Sequence, residues 1–82
     1  MVPPEIQAAR LAHFLRATLR EARGVVERRN RVDLAIMKWH VGRLCAACLD
    51  LPPAEGRALR SALVEVLAEL DALTDAVTEA GP

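Results

Sequence analysis

Two cysteines and two histidines are the residues of this sequence best suited to redox or metal chemistry. Cys45 and Cys48 have the Cys-x-x-Cys spacing of redox pairs and of half a zinc site, and His13 and His40 are the histidines that could complete it. Redox pairs lie at a helix N-terminus, where the dipole lowers the thiol pKa, whereas this pair falls near a predicted C-terminus. His40 points about 80° or more away from both thiols. We therefore expect reduced, structural cysteines, with no metal and no other cofactor.

Basic side chains offer a second possible chemistry, the binding of an anion. Residues 27–29 read Glu-Arg-Arg, and Lys38 follows on the next predicted helix. This pattern resembles the first helix of the all-helical chorismate mutases. The resemblance implies that Arg28 and Lys38 would bind a dicarboxylate, with Arg10 or Arg16 reaching in from the second subunit of an entwined dimer. That family's Asp and Arg-Glu pair, and a glutamine on the last helix, are missing here. A small anion-binding enzyme is thus the alternative, and a protein without enzymatic activity is the main expectation.

The stretch from Val32 to Leu49 positions most of these groups and predicts a helix with two apolar faces. At about 100° per residue, one face collects Leu34, Met37, Val41, Leu44, Cys45 and Cys48. The second face collects Val32, Ala35, Trp39, Ala46 and Leu49, with Lys38 and Arg43 at its rim. An ordinary surface helix has one apolar stripe, so this helix must be covered from two directions.

A helix is predicted on each side of this middle helix. The first, residues 4–29, begins at the Pro3-Pro4 pair and carries an apolar stripe of Leu11, Leu15, Thr18, Ala22 and Val25, flanked by Phe14, Leu19 and Val26. The last, residues 53–78, begins after Pro52 and carries a heptad seam of Leu59, Leu63, Val66, Leu70, Leu73 and Val77. The middle helix spans residues 32–49.

The join between the first two helices is ambiguous. Asn30 can end a helix in the left-handed conformation, and Asp33 can start the next one. However, the join has no Pro or Gly, and the spacing of Ala22, Val26, Asn30 and Leu34 would carry one helix straight through. We expect a break here, which gives three helices; a kinked long helix in a two-helix hairpin is the alternative.

The composition favours a single all-α domain over residues 1–82. Apolar residues make up 52% of the chain, mostly Leu, Val and Ala, with only two aromatic residues. Residues 1–49 hold nine basic and four acidic side chains, and residues 50–82 hold two basic and seven acidic ones. We expect the basic half to pack beside the acidic last helix. Binding of nucleic acid is not expected, because the arginines surround the helix and no aromatic residues alternate with them.

A three-helix antiparallel bundle uses one face of each helix, so the second face of the middle helix, centred on Trp39, is left over. An exposed apolar patch with a Trp is typical of an interface. We expect a non-enzymatic interaction module, such as an adaptor, small chaperone or regulatory subunit, that binds itself as a homodimer or another helical protein. The charges in the middle stretch predict no membrane span, and the absence of a leader together with reduced thiols predicts the cytoplasm.

Overall fold

Four α-helices account for nearly all of the chain in the computed structural model, which describes residues 2–81. They are α1 (Pro4–Glu27), α2 (Leu34–Leu49), α3 (Pro53–Ala58) and α4 (Arg60–Ala80), and this range contains no β-strand. The prediction of an all-α bundle is confirmed. Within residues 2–81, no helix has both the length and the apolar character needed to cross a membrane.

The predicted break between the first two helices is present, but the left-handed residue is Arg29 and not Asn30. The amide of Arg29 donates to the carbonyl of Val26 at 2.9 Å, and the amide of Asn30 donates to that of Val25 at 3.1 Å. This pair of bonds is a Schellman motif, which requires positive φ at the residue after the C-cap; Arg29 has φ 65°. Helix α1 therefore ends at Glu27, two residues earlier than predicted. Its last buried side chain is Val26.

Helix α2 begins two residues later than predicted because Asp33 caps it. The Asp33 carboxylate accepts a hydrogen bond from the amide of Ile36 at 3.1 Å, which satisfies one of the free N–H groups of the first turn. Val32 consequently lies in the connecting loop and packs, partly buried, against the core. The prediction that Val32 lies on the second apolar face of this helix is therefore wrong.

The last predicted helix is interrupted once. At Leu59 the backbone tightens (φ −90°, ψ −3°), and its amide is shared between the carbonyls of Glu55, at 3.2 Å, and Gly56, at 3.3 Å. Helix α4 then resumes at once, because the amide of Leu63 donates to the carbonyl of Leu59 at 2.9 Å. Gly56 lowers helix propensity just before the interruption, which favours a break at this point. The two pieces span residues 53–80.

The core is entirely apolar and uses one face of each long helix. Its buried residues are Ala8, Ala12, Leu15, Leu19, Ala22 and Val26 of α1, Val41 and Leu44 of α2, and Val66 and Leu73 of α4. The predicted stripe of α1 shares Leu15 and Ala22 with this set but is otherwise rotated, and Phe14 is 63% exposed. With this rotation, Arg16, Arg20 and Arg23 lie towards α4.

Ion pairs between α1 and α4 confirm that the basic half packs beside the acidic helix within one chain. Arg16 bonds Glu65 at 2.6 Å, and Arg20 bonds Glu69 at 2.8 Å. Arg23 lies 3.7 Å from the same Glu69 carboxylate. Both bonded pairs join residues 49 apart, so α1 and α4 run parallel and α2 runs antiparallel between them. This is an up-down-up bundle.

Candidate functional site: the outward face of α2

The residues predicted to bind a partner lie, except Val32, on the side of α2 that turns away from the core. All six are exposed: Ala35, Lys38, Trp39, Arg43, Ala46 and Leu49. We call the surface formed by Ala35, Trp39, Gly42, Ala46 and Leu49 the outward face. Its residues are brought together by one helix, so the fold needs only to leave that side of α2 uncovered.

Helix α2 gives little of its apolar surface to the core. Only Val41 and Leu44 are buried, while Leu34, Met37, Cys45 and Cys48 pack against the core from partly buried positions, as predicted for the first face. Apart from the partly buried Ala47, the rest of this strongly apolar helix is exposed. Leu49 is 86% exposed.

Trp39, at the centre of the outward face, is 58% exposed but held by two neighbours. The guanidinium carbon of Arg43, one turn later, lies 5.1 Å from the centroid of the indole ring, a cation–π contact. The His40 ring meets the indole edge-on, with centroids 5.0 Å apart and planes at 73°. These contacts restrict the rotamers of Trp39 before any partner arrives. Less side-chain entropy is then lost on binding.

Small residues keep the outward face open beside Trp39. A Cβ atom placed on Gly42 would meet nothing within 4 Å. The five positions 35, 39, 42, 46 and 49 follow one another at the spacing of a heptad seam, which is the pattern that packs knobs into the holes of another helix. Half-exposed Ile36 extends this surface. The sequence analysis missed Ile36, although it lies about 60° from Trp39 on the helix.

The rim of the outward face is basic. Lys38 and Arg43 are exposed, and among residues 2–81 the ion pairs involve Arg16, Arg20 and Arg23 instead. Both cations are therefore available to an external carboxylate.

The two cysteines lie at the C-terminal end of α2, next to a groove that the sequence analysis did not predict. Both thiols are free and half-buried, and burial, reinforced by the neighbouring Cys45, raises the pKa of Cys48. A raised pKa leaves fewer reactive thiolates, which fits a structural role. Within the described range, no cluster of three or more potential metal ligands is present. The groove, which we call the α2–α3 groove, has a volume of about 530 Å³ and is formed where α2, α3 and α4 meet.

The basic residues of the alternative anion site are dispersed. Arg28 lies at the exposed C-cap of α1, Lys38 lies on α2, and Arg16 already bonds Glu65 of its own chain. Neither the α2–α3 groove nor the groove beside Arg29 is lined by Arg28 or Lys38. Arg28 and Lys38, the pair that the resemblance implies, therefore do not meet in either of these two grooves.

The α2–α3 groove was missed because its lining comes from three helices and the turn between α2 and α3, whereas periodicity describes one helix at a time.

Comparison with known proteins assigns the chain to no family: no family model, curated protein or solved structure matches the chain.

Proposed function

We propose that this chain is a non-enzymatic interaction module that binds a helix through the outward face of α2. The observation that carries the proposal is Trp39, which is 58% exposed in the middle of an apolar face and held between Arg43 and His40. Ordered, exposed aromatic residues on such faces are typical centres of binding energy. The heptad spacing fits a helical partner in a coiled-coil arrangement.

A second copy of the chain is the partner that the sizes of the side chains favour. In an antiparallel pairing centred on Gly42, Trp39 of one copy faces Ala46 of the other, and Leu49 faces Ala35. Each large residue then fills the space beside a small one. A parallel pairing would instead set Trp39 against its own copy and leave a gap between the two Ala46 methyl groups. The proposal is therefore an antiparallel homodimer, serving alone or as part of an adaptor or small chaperone.

The expected affinity of this homodimer is modest. Helix α2 has 16 residues and is about 24 Å long, so one of its faces buries less than the ~800 Å² per partner of a stable complex. We expect a micromolar dissociation constant. The two copies of Arg43 approach each other across the symmetry axis, and salt should therefore strengthen the association by screening them. The free thiols fit a reducing compartment, and we place the module in the cytoplasm.

The test compares two exposed aromatic residues on different helices. Trp39→Asp is expected to abolish association, while Phe14→Asp, at a 63% exposed site on α1, is expected to leave it intact. Light scattering on the reduced protein from about 10 μM to 1 mM measures association, and circular dichroism checks that both variants stay helical.

Two results would count against the proposal in different ways. Unfolding of the Trp39→Asp monomer would mean that Trp39 belongs to the core. A wild-type chain that is monomeric at every concentration would refute self-association, and the module would then have to bind another protein. In that case, a protein retained by the Phe14→Asp bait but lost from the Trp39→Asp bait would identify a partner of the outward face.

A further inference from the structure

We propose that the α2–α3 groove binds the chain of an aliphatic carboxylate, such as a medium-chain fatty acid, with Arg57 and Arg60 holding the carboxylate. This site is separate from the module's contact with a partner, apart from Leu49, which belongs to both surfaces. Because Leu49 is shared, the two proposals are separated with the Trp39→Asp variant, which changes the outward face and leaves the lining of the groove intact.

The volume and the lining of the groove fit an aliphatic chain. Its volume of about 530 Å³ lies within the ~300–1,000 Å³ range of small-molecule sites. The apolar lining comes from Leu49, Leu51, Leu63 and Pro53, with the two half-buried thiols beside them. Burying methylene groups against these side chains is favourable, because both the ligand and the leucines leave water.

The charges of the groove select the head group. Arg57 and Arg60 are the only basic residues after position 49, and both line this groove. Neither guanidinium takes part in an ion pair or a side-chain hydrogen bond within residues 2–81. The nearby acids Asp50 and Glu55 do not line the groove. An Arg fork binds a carboxylate with two parallel hydrogen bonds, while the stem of the side chain lies along apolar surface.

Titration calorimetry with dodecanoate as the probe tests the proposal. The Arg57→Gln/Arg60→Gln double variant is expected to bind dodecanoate at least tenfold more weakly. The matched control is Arg28→Gln/Arg29→Gln, which loses the same charge just after α1, outside the lining of the groove, and should bind as the wild type does. Decanoate, which is two methylenes shorter, should bind about fifteenfold more weakly than dodecanoate, since each fully buried methylene is equivalent to about fourfold in affinity. Dodecyltrimethylammonium, which has the same chain length and the opposite charge, should not bind.

Amide spectra identify where the probe binds, because two glycines report on the two surfaces. Gly56 lines the α2–α3 groove, and Gly42 lies on the open outward face. Dodecanoate is expected to shift the Gly56 resonance and leave that of Gly42 in place, whereas self-association should move Gly42. Trp39→Asp should lose association and keep the binding of dodecanoate, so failure of one proposal is distinguishable from failure of the other.

Three outcomes would overturn the proposal. The first is the absence of dodecanoate binding at millimolar concentration. The second is equal binding of the ammonium detergent, which would mean that apolar contact alone attracts the chain. The third is a Gly56 shift that appears on raising the concentration of the Trp39→Asp variant without dodecanoate, which would assign the groove to a second copy of the chain.

Discussion

Replacing Gly42 with alanine should stabilise the monomer and weaken the homodimer. A glycine inside a helix costs roughly 0.5–1 kcal/mol relative to alanine, because it loses more backbone entropy on folding. At Gly42 an added Cβ meets nothing within 4 Å, so no clash offsets this gain. For a domain of this size, 1 kcal/mol corresponds to a rise in Tm of about 4–8 °C.

The same methyl group should oppose the proposed pairing, because Gly42 lies where the two antiparallel helices approach most closely. Overpacking a well-fitted contact costs typically about 1–3 kcal/mol, which predicts at least a several-fold weaker dimer. Thermal denaturation followed by circular dichroism at about 10 μM measures the monomer, and sedimentation equilibrium up to about 1 mM measures association.

Gly24→Ala provides the matched control on α1. Its Cβ would make an ordinary contact of 3.5 Å with the Arg28 side chain, so a similar rise in Tm is expected without any effect on association. If Gly24→Ala stabilised the protein and Gly42→Ala did not, the outward face would not be open. If Gly42→Ala raised the Tm and left the dimer unchanged, close approach of the two helices at residue 42 would be wrong.

Two further predictions concern the stability of the bundle. Arg29→Gly should raise the free energy of unfolding by about 0.5–1 kcal/mol, because a φ of 65° strains a residue with a side chain but not glycine. Arg28→Gly should lower the free energy of unfolding, because Arg28 has an ordinary φ of −85°. Equal effects of the two variants in urea denaturation would contradict the left-handed cap. The hydrogen bond from Arg20 holds the pKa of Glu69 below its usual range, and the positive charges of the α1 arginines add to this effect. The stabilisation is therefore present above the ordinary glutamate pKa of about 4.3 and is lost as the pH falls through the lowered value. Glu69→Gln should remove this part of the acid sensitivity, so its Tm should fall less than that of the wild type between pH 7 and pH 3. An equal fall in Tm for the two proteins would contradict this role of Glu69.

The two faces of α2 could be predicted from the sequence because they are a property of one helix. The 3.6-residue period places Val41 and Leu44 opposite Trp39, whatever the rest of the chain does. Asp33 was identifiable as the start of α2 for a similar reason, since the capping bond reaches only three residues ahead.

The rotation of α1 could not be predicted in the same way. Apolar residues lie on both sides of the Leu15–Ala22 line, and its own periodicity does not decide which side is buried. The choice depends on contacts with α4, where Glu65 and Glu69 draw Arg16 and Arg20 to one flank. The left-handed conformation at Arg29 could not be predicted either, because glycine and asparagine, not arginine, are the residues that normally indicate it.

The ion pairs and the apolar seam together select one register of α4 against α1. The glutamates repeat after four residues and the apolar seam after seven, so the two patterns agree in a single alignment. Glu65 and Glu69 are four residues apart, so a slip of four would still offer Glu69 to Arg16, but it would bring Thr74 to the place of Leu70 in the seam. A slip of seven would keep the seam apolar and present alanines to the arginines. Because no short shift satisfies both repeats, sequences that preserve either repeat alone should fold into bundles with less uniquely aligned helices.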